Sequence, residues 1–94
     1  MNITFFKQKT PTETARSLAA RIRDIRKRKK MSQIKLSEKS GVSLGSVKRF
    51  EQSGEISLLS LIKIAIALDI SDQLETLFED IPPMSIEEII REND

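Results

Sequence analysis

Apolar residues recur along this chain every three to four positions in separate stretches, the spacing of helices that each turn one face to a core. Ala15, Leu18, Ile22 and Ile25 form the first stripe. Ahead of it, Thr10-Pro11-Thr12-Glu13 is a helix start, with threonine at N-cap, proline at the first helical position and glutamate closing a capping box. This predicts a first helix running to about Lys29. Ser32 and Ser43 stand as N-caps of two short helices whose apolar seam is Leu36, Val42, Val47 and Phe50, the second ending near Gln52. Ser57 caps a fourth helix, with Ile56 and Leu61 as its staple. Leu58, Leu61, Ile62, Ala65, Ile66 and Leu68 make it apolar on most sides, so it is expected at the centre of the core. Asp69 stands in the turn after it and tolerates left-handed backbone better than most residues. A fifth helix is expected from about Asp72 to Glu79, with Leu74, Leu77 and Phe78 available for the core and for a two-fold mate, until Pro82-Pro83 stops it.

The densest local logic lies in Gln33 to Gln52, QIKLSEKSGVSLGSVKRFEQ. Ser37 is small where two helices must cross closely, and Gly41 sits where the backbone turns with positive φ, which glycine adopts without steric cost. Val42 before the Ser43 cap can close against Val47 as a hydrophobic staple. Small residue, turn glycine and seam agree in their offsets, and together they describe a helix-turn-helix, the motif that lays its second helix in the major groove of DNA.

From about Leu18 to Leu77 the chain resembles the Xre/Cro family of helix-turn-helix domains, which includes the lambdoid phage repressors. Met31-Ser32-Gln33, Leu36, Gly41-Val42-Ser43 and Glu51 carry the likeness. Ser37 replaces the family's commoner alanine, and Gly45 stands where the family usually has a polar, often base-reading side chain. The resemblance implies an all-α fold: a compact five-helix, lambda-repressor-like DNA-binding domain over residues 10–80, preceded by an arm at 1–9 and followed by a tail at 81–94 with a short helix. It also implies a sequence-specific transcription regulator, a repressor that binds a palindromic operator as a homodimer. More loosely, the run from Leu44 to Glu51, then Gly54-Glu55-Ile56-Ser57 and the Pro-Pro step, is similar to HipB-like regulators. That likeness implies an antitoxin that binds a HipA-like toxin kinase and autoregulates its operon.

Charge sharpens this picture. The net charge is only +2, yet residues 1–53 carry 14 Lys/Arg against 4 acids and residues 54–94 carry 2 against 10, so net charges of +10 and −8 divide the chain. The basic half coincides with the helix-turn-helix and suits a polyanion. With neither histidine nor cysteine, the chain has no imidazole base, no thiol nucleophile and no N/S metal site, and nothing in it arranges a carboxylate or Ser-Lys centre. No enzyme, metal or cofactor is expected. No apolar run approaches membrane length and the N-terminus lacks a signal-peptide core, so the expected location is cytoplasmic.

The residue roles follow. With Val47 and Phe50 turned inward, Leu44, Gly45, Ser46, Lys48 and Arg49 face outward as base readers. Arg49 is the candidate for bidentate contact with guanine, with an intrahelical or phosphate partner as its alternative. Leu44 can cover a thymine methyl, and Gly45 lets the backbone lie close, leaving part of the specificity to DNA shape. Arg28, Lys30, Ser32, Gln33, Lys35 and Ser43 are the expected phosphate contacts, and the resemblance makes Gln33 the anchor on the DNA backbone. Ile3, Phe5 and Phe6 in the arm suit either a partner subunit or the chain's own core. Ser85 caps a last short helix with Ile86, Ile89 and Ile90, too short to stand alone, which must dock on its own domain, on a second protomer or on another protein.

Overall fold

The computed structural model describes residues 9–83 and Glu87; the arm's residues 1–8 and the helix expected after Met84 lie outside these described residues. Five helices follow one another: α1 (Pro11–Arg28), α2 (Gln33–Ser40), α3 (Leu44–Ser53), α4 (Leu58–Ala67) and α5 (Ser71–Glu75). No strand occurs among the described residues. α1 packs on α3, α2 on both α3 and α4, and α5 on α4.

The starts of α1 to α4 are set by their caps. At α1 the Glu13 N–H donates to Thr10 Oγ1 at 3.1 Å while the Thr10 N–H donates to Glu13 Oε1 at 3.0 Å. That backbone donor holds the exposed Glu13 carboxyl below the usual carboxylate range. Ser32, Ser43 and Ser57 each accept from the N–H three residues on. Gly41 ends α2 at φ 75° and Gly54 ends α3 at φ 81°, so α3 runs one residue past Gln52.

Two helix ends reach the same left-handed position without glycine. Lys30, at φ 55°, follows α1, where its N–H donates to the Lys27 carbonyl and the Met31 N–H to the Arg26 carbonyl. Asp69, at φ 61°, does the same after α4, as its residue type led one to expect.

The core consists of Ala19, Ile22, Leu36, Val42, Val47, Phe50, Leu61, Ile64 and Leu68. Three expectations need correction. On α1 the buried line is Ala19, Ile22 and Arg26, with Ala15 and Ile25 half-buried at its edges and Leu18 exposed. On α4 Ile64 joins the expected Leu61, Ala65 and Leu68 in the buried set, while Leu58 and Ile66 face out, because only the face toward α2 and α5 is covered. α5 stops at Glu75, four residues early, so that Leu77 and Phe78 lie outside the core of this chain, Phe78 86% exposed and at φ 65°.

Candidate nucleic-acid interface

Ser37 is more than a small residue at a crossing. Its hydroxyl donates to the Val42 carbonyl at 2.6 Å, and Ser40 Oγ accepts from the Val42 N–H at 3.1 Å. Together with the Gly41 N–H on the Ser37 carbonyl, these bonds satisfy the turn's backbone and fix how α3 leaves α2. The alanine usual at this position would leave the Val42 carbonyl without that donor.

On α3 the inward residues are Val47 and Phe50, as expected, with Glu51 beside them. Gly45, Ser46, Lys48 and Arg49 are exposed and Leu44 is half-buried, so four of the five expected base readers stand clear of the core. The Ser43 and Ser46 hydroxyls lie 2.8 Å apart. One hydroxyl hydrogen serves that pair, and the other is left to donate outward. Arg49 is held by Glu55: Nε at 3.0 Å and Nη2 at 2.8 Å both donate to Glu55 Oε2.

Gln33 is half-buried and engaged within the chain. Its Nε2 donates to Glu51 Oε1 at 2.9 Å. Glu51 in turn accepts from Arg26, Nε to Oε2 at 2.7 Å and Nη2 to Oε1 at 2.9 Å, while Arg26 Nη1 donates to the Met31 carbonyl at 2.7 Å. The Arg26 and Glu51 side chains are only 9% and 3% exposed. Burial works to raise the Glu51 carboxyl, but the hydrogen bonds from Arg26 and Gln33 and the charges of Arg26 and Arg23 outweigh it and hold the carboxyl below its usual range. A charged pair so buried survives because both carboxylate oxygens accept hydrogen bonds, and no buried side-chain polar atom among the described residues lacks a partner.

This network joins the end of α1, the start of α2 and the end of α3, and it sets the orientation of the Gln33 amide. An amide nitrogen carries two hydrogens, and Glu51 takes one, so the other remains for an acceptor beyond the surface. Around it, Arg23, Ser32 and Gln52 line one open cleft with Gln33. Arg28, Lys30 and Lys35 are exposed. Ser32 Oγ, as the α2 cap, takes the Lys35 N–H, leaving the first N–H groups of α2 free to face an anion.

Arg26, Gln52 and Arg23 have no site role assigned from the sequence, and Glu51 enters there only as part of the family likeness. Arg26 looks like one of five charges closing α1, yet it falls four residues after Ile22 on the buried line, and Glu51 falls four after Val47. A lone charge on the apolar face of each of two helices, opposite in sign, was the available signal. Gln52 is exposed, seven residues after Gly45 and so on the same outward side of α3. Arg23 shares its cleft.

No group of three or more residues able to hold a metal occurs among the described residues, and no described helix is long and apolar enough to cross a membrane. A family model described as helix-turn-helix matches residues 22–74, more than half of the chain. A search of curated proteins found no match to the chain.

Proposed function

Because the chain belongs to the helix-turn-helix family, of Xre/Cro type, it is a DNA-binding transcription regulator, and we propose that it is a repressor binding a near-palindromic operator as a homodimer. The observation that supports this best is the joint exposure of Gly45, Ser46, Lys48 and Arg49 on α3, beside an α2 start whose Gln33 is oriented from within. Side chains on α3 read base edges, while Arg28, Lys30, Ser32, Gln33, Lys35 and Ser43 set the register on phosphates. Gly45 contributes no side chain, so the α3 backbone approaches the groove floor there and shape takes a share of the specificity.

A dimer is the natural form of such a module, since one copy buries little surface on DNA. Leu18, Ile25, Leu58, Leu61, Leu74 and Leu77 line an apolar groove between α1, α4 and α5, and Leu58 and Leu77 are largely exposed in it. Phe78 and Ile81 continue that exposed apolar run along the acidic half of the chain. The same residues serve a second reading, an antitoxin whose acidic half holds a HipA-like toxin kinase.

Selection of duplexes from a random DNA pool, followed by binding across a salt series, tests the regulator. The wild type is expected to enrich an inverted repeat, and Arg49→Ala to lose preference for it while retaining weak general binding. Equal binding to every duplex overturns operator reading. Sedimentation of the wild type and of Phe78→Asp tests the dimer: a dimeric wild type and a monomeric variant, about a hundredfold or more weaker on the full operator, are expected. A wild type that is monomeric alone and on DNA overturns it and favours the antitoxin reading.

A further inference from the structure

Glu55 lies outside the helix-turn-helix, on the turn between α3 and α4, and nothing in the interface described so far requires an acid there. A carboxylate beside a DNA-reading surface repels phosphate, so its presence against Arg49 calls for a reason. The ion pair is 70% and 64% exposed at its two side chains, where such pairs add little stability. The geometry points elsewhere. Both bonds go to one oxygen, Glu55 Oε2, from the Nε and Nη2 side of the guanidinium. That leaves the terminal edge free, with the second hydrogen of Nη2 and one hydrogen of Nη1 side by side, the pair of parallel donors that matches O6 and N7 of guanine.

We propose that Glu55 is a positioning residue for base recognition: it holds the Arg49 side chain so that its terminal edge is presented, ready made, to a guanine in the major groove. The carboxylate sits on a turn suited to that role. Ser53 Oγ donates to the Arg49 carbonyl at 2.7 Å and accepts from the Glu55 N–H at 3.2 Å, which ties the Glu55 backbone directly to the residue it orients. Gly54 between them is at φ 81°, packed so closely on Ala15 of α1 that a Cβ would lie 2.6 Å from a backbone carbon. The turn cannot drift relative to α3 without unpacking α1. An arginine has many rotamers to lose on binding a base, and a partner that fixes it beforehand lowers that cost for the guanine contact alone.

This rests on the reading of Arg49 as a base reader, and a double-mutant cycle separates the two. The wild-type protein, Glu55→Gln, Arg49→Ala and the double variant are each titrated with the duplex selected by the wild type and with the same duplex carrying an adenine in place of each guanine in turn. Both side chains are exposed, and circular dichroism checks that the variants keep the fold. In Glu55→Gln, discrimination at one guanine is expected to fall by roughly fivefold or more, within what a bidentate pair supplies, while affinity for unrelated DNA holds or rises because an acid is gone. In the Arg49→Ala background Glu55→Gln should change that discrimination no further. If Arg49→Ala alters discrimination and Glu55→Gln leaves it intact or improves it, Glu55 does not position the reader and the proposal is overturned while operator reading stands. If Arg49→Ala leaves discrimination intact, the assignment of Arg49 falls and the role of Glu55 falls with it.

Discussion

A methyl group added at Gly54 would meet Ala15 at 2.6 Å, its carbonyl carbon, on backbone already at φ 81°. Neither neighbour is the end of a flexible side chain, so Gly54→Ala is expected to cost several kcal/mol, about 2 or more, through both clash and left-handed strain. Thermal unfolding of the purified variant checks it. At Gly45 nothing lies within 4 Å and φ is ordinary, so Gly45→Ala is expected to raise stability by up to about 1 kcal/mol, the helix preference of alanine over glycine. If operator affinity falls in that variant while stability rises, the close backbone approach assigned to Gly45 is supported. Glu51 supplies a pH dependence. Its carboxyl titrates below the usual range in the folded chain, so its contribution is complete above the unfolded value and is lost as pH falls through the folded one. Glu51→Gln is therefore expected to lose stability at neutral pH and to show a shallower fall toward acid than the wild type, measured by urea unfolding between pH 7 and 3. Glu51→Ala, which strands the buried Arg26 guanidinium, is expected to cost about 3–5 kcal/mol.

At the scale of elements, the ends of helices carry as much as their faces. α1 closes with Arg26, Lys27 and Arg28 in its last turn, favourable to the helix dipole, and then bends through Lys30 at φ 55°. Lys30→Gly relieves that strain and is expected to stabilise the fold by about 1 kcal/mol. If Lys30 contacts a phosphate, as its exposure beside α2 suggests, the same variant binds DNA more weakly, and the slope of log K against log salt falls by about 0.9. The two readouts thus move in opposite directions, which a merely structural or a merely electrostatic role would not produce. Between α2 and α3 the turn rests on the hydroxyls of Ser37 and Ser40 as well as on Gly41. Ser37→Ala is expected to cost about 1 kcal/mol in urea unfolding, the ordinary worth of one partly buried hydrogen bond.

Over the whole molecule, the basic and acidic halves divide the work. The first three helices bring the positive charge and the α3 surface together, and α4 with α5 covers the core's far side and leaves Leu58, Leu77, Phe78 and Ile81 facing solvent. Scattered exposed leucines are common, but Leu77, Phe78 and Ile81 exposed within five residues after a five-residue helix, beside the apolar groove that holds Leu58, are out of keeping with an isolated domain. The proposed dimer accounts for them.

Much of this chain is legible before any folding is considered. The caps Thr10, Ser32, Ser43 and Ser57, the glycine turn at Gly41 and the inward Val47 and Phe50 follow from local rules, because a cap or a left-handed turn is decided within four residues. The helix-turn-helix, and with it the outward set on α3, was readable for the same reason. What tertiary packing alone decided is which side of α1 and α4 is covered, where α5 stops, and that Arg26, Glu51 and Gln33 act as one buried unit. Periodicity gives a stripe but not the angle at which a neighbour meets it, and it cannot tell a charge aimed at solvent from one aimed at a partner 25 residues away. Nor does any local rule join Arg49 to Glu55; only the turn that Gly54 makes against Ala15 brings them within reach.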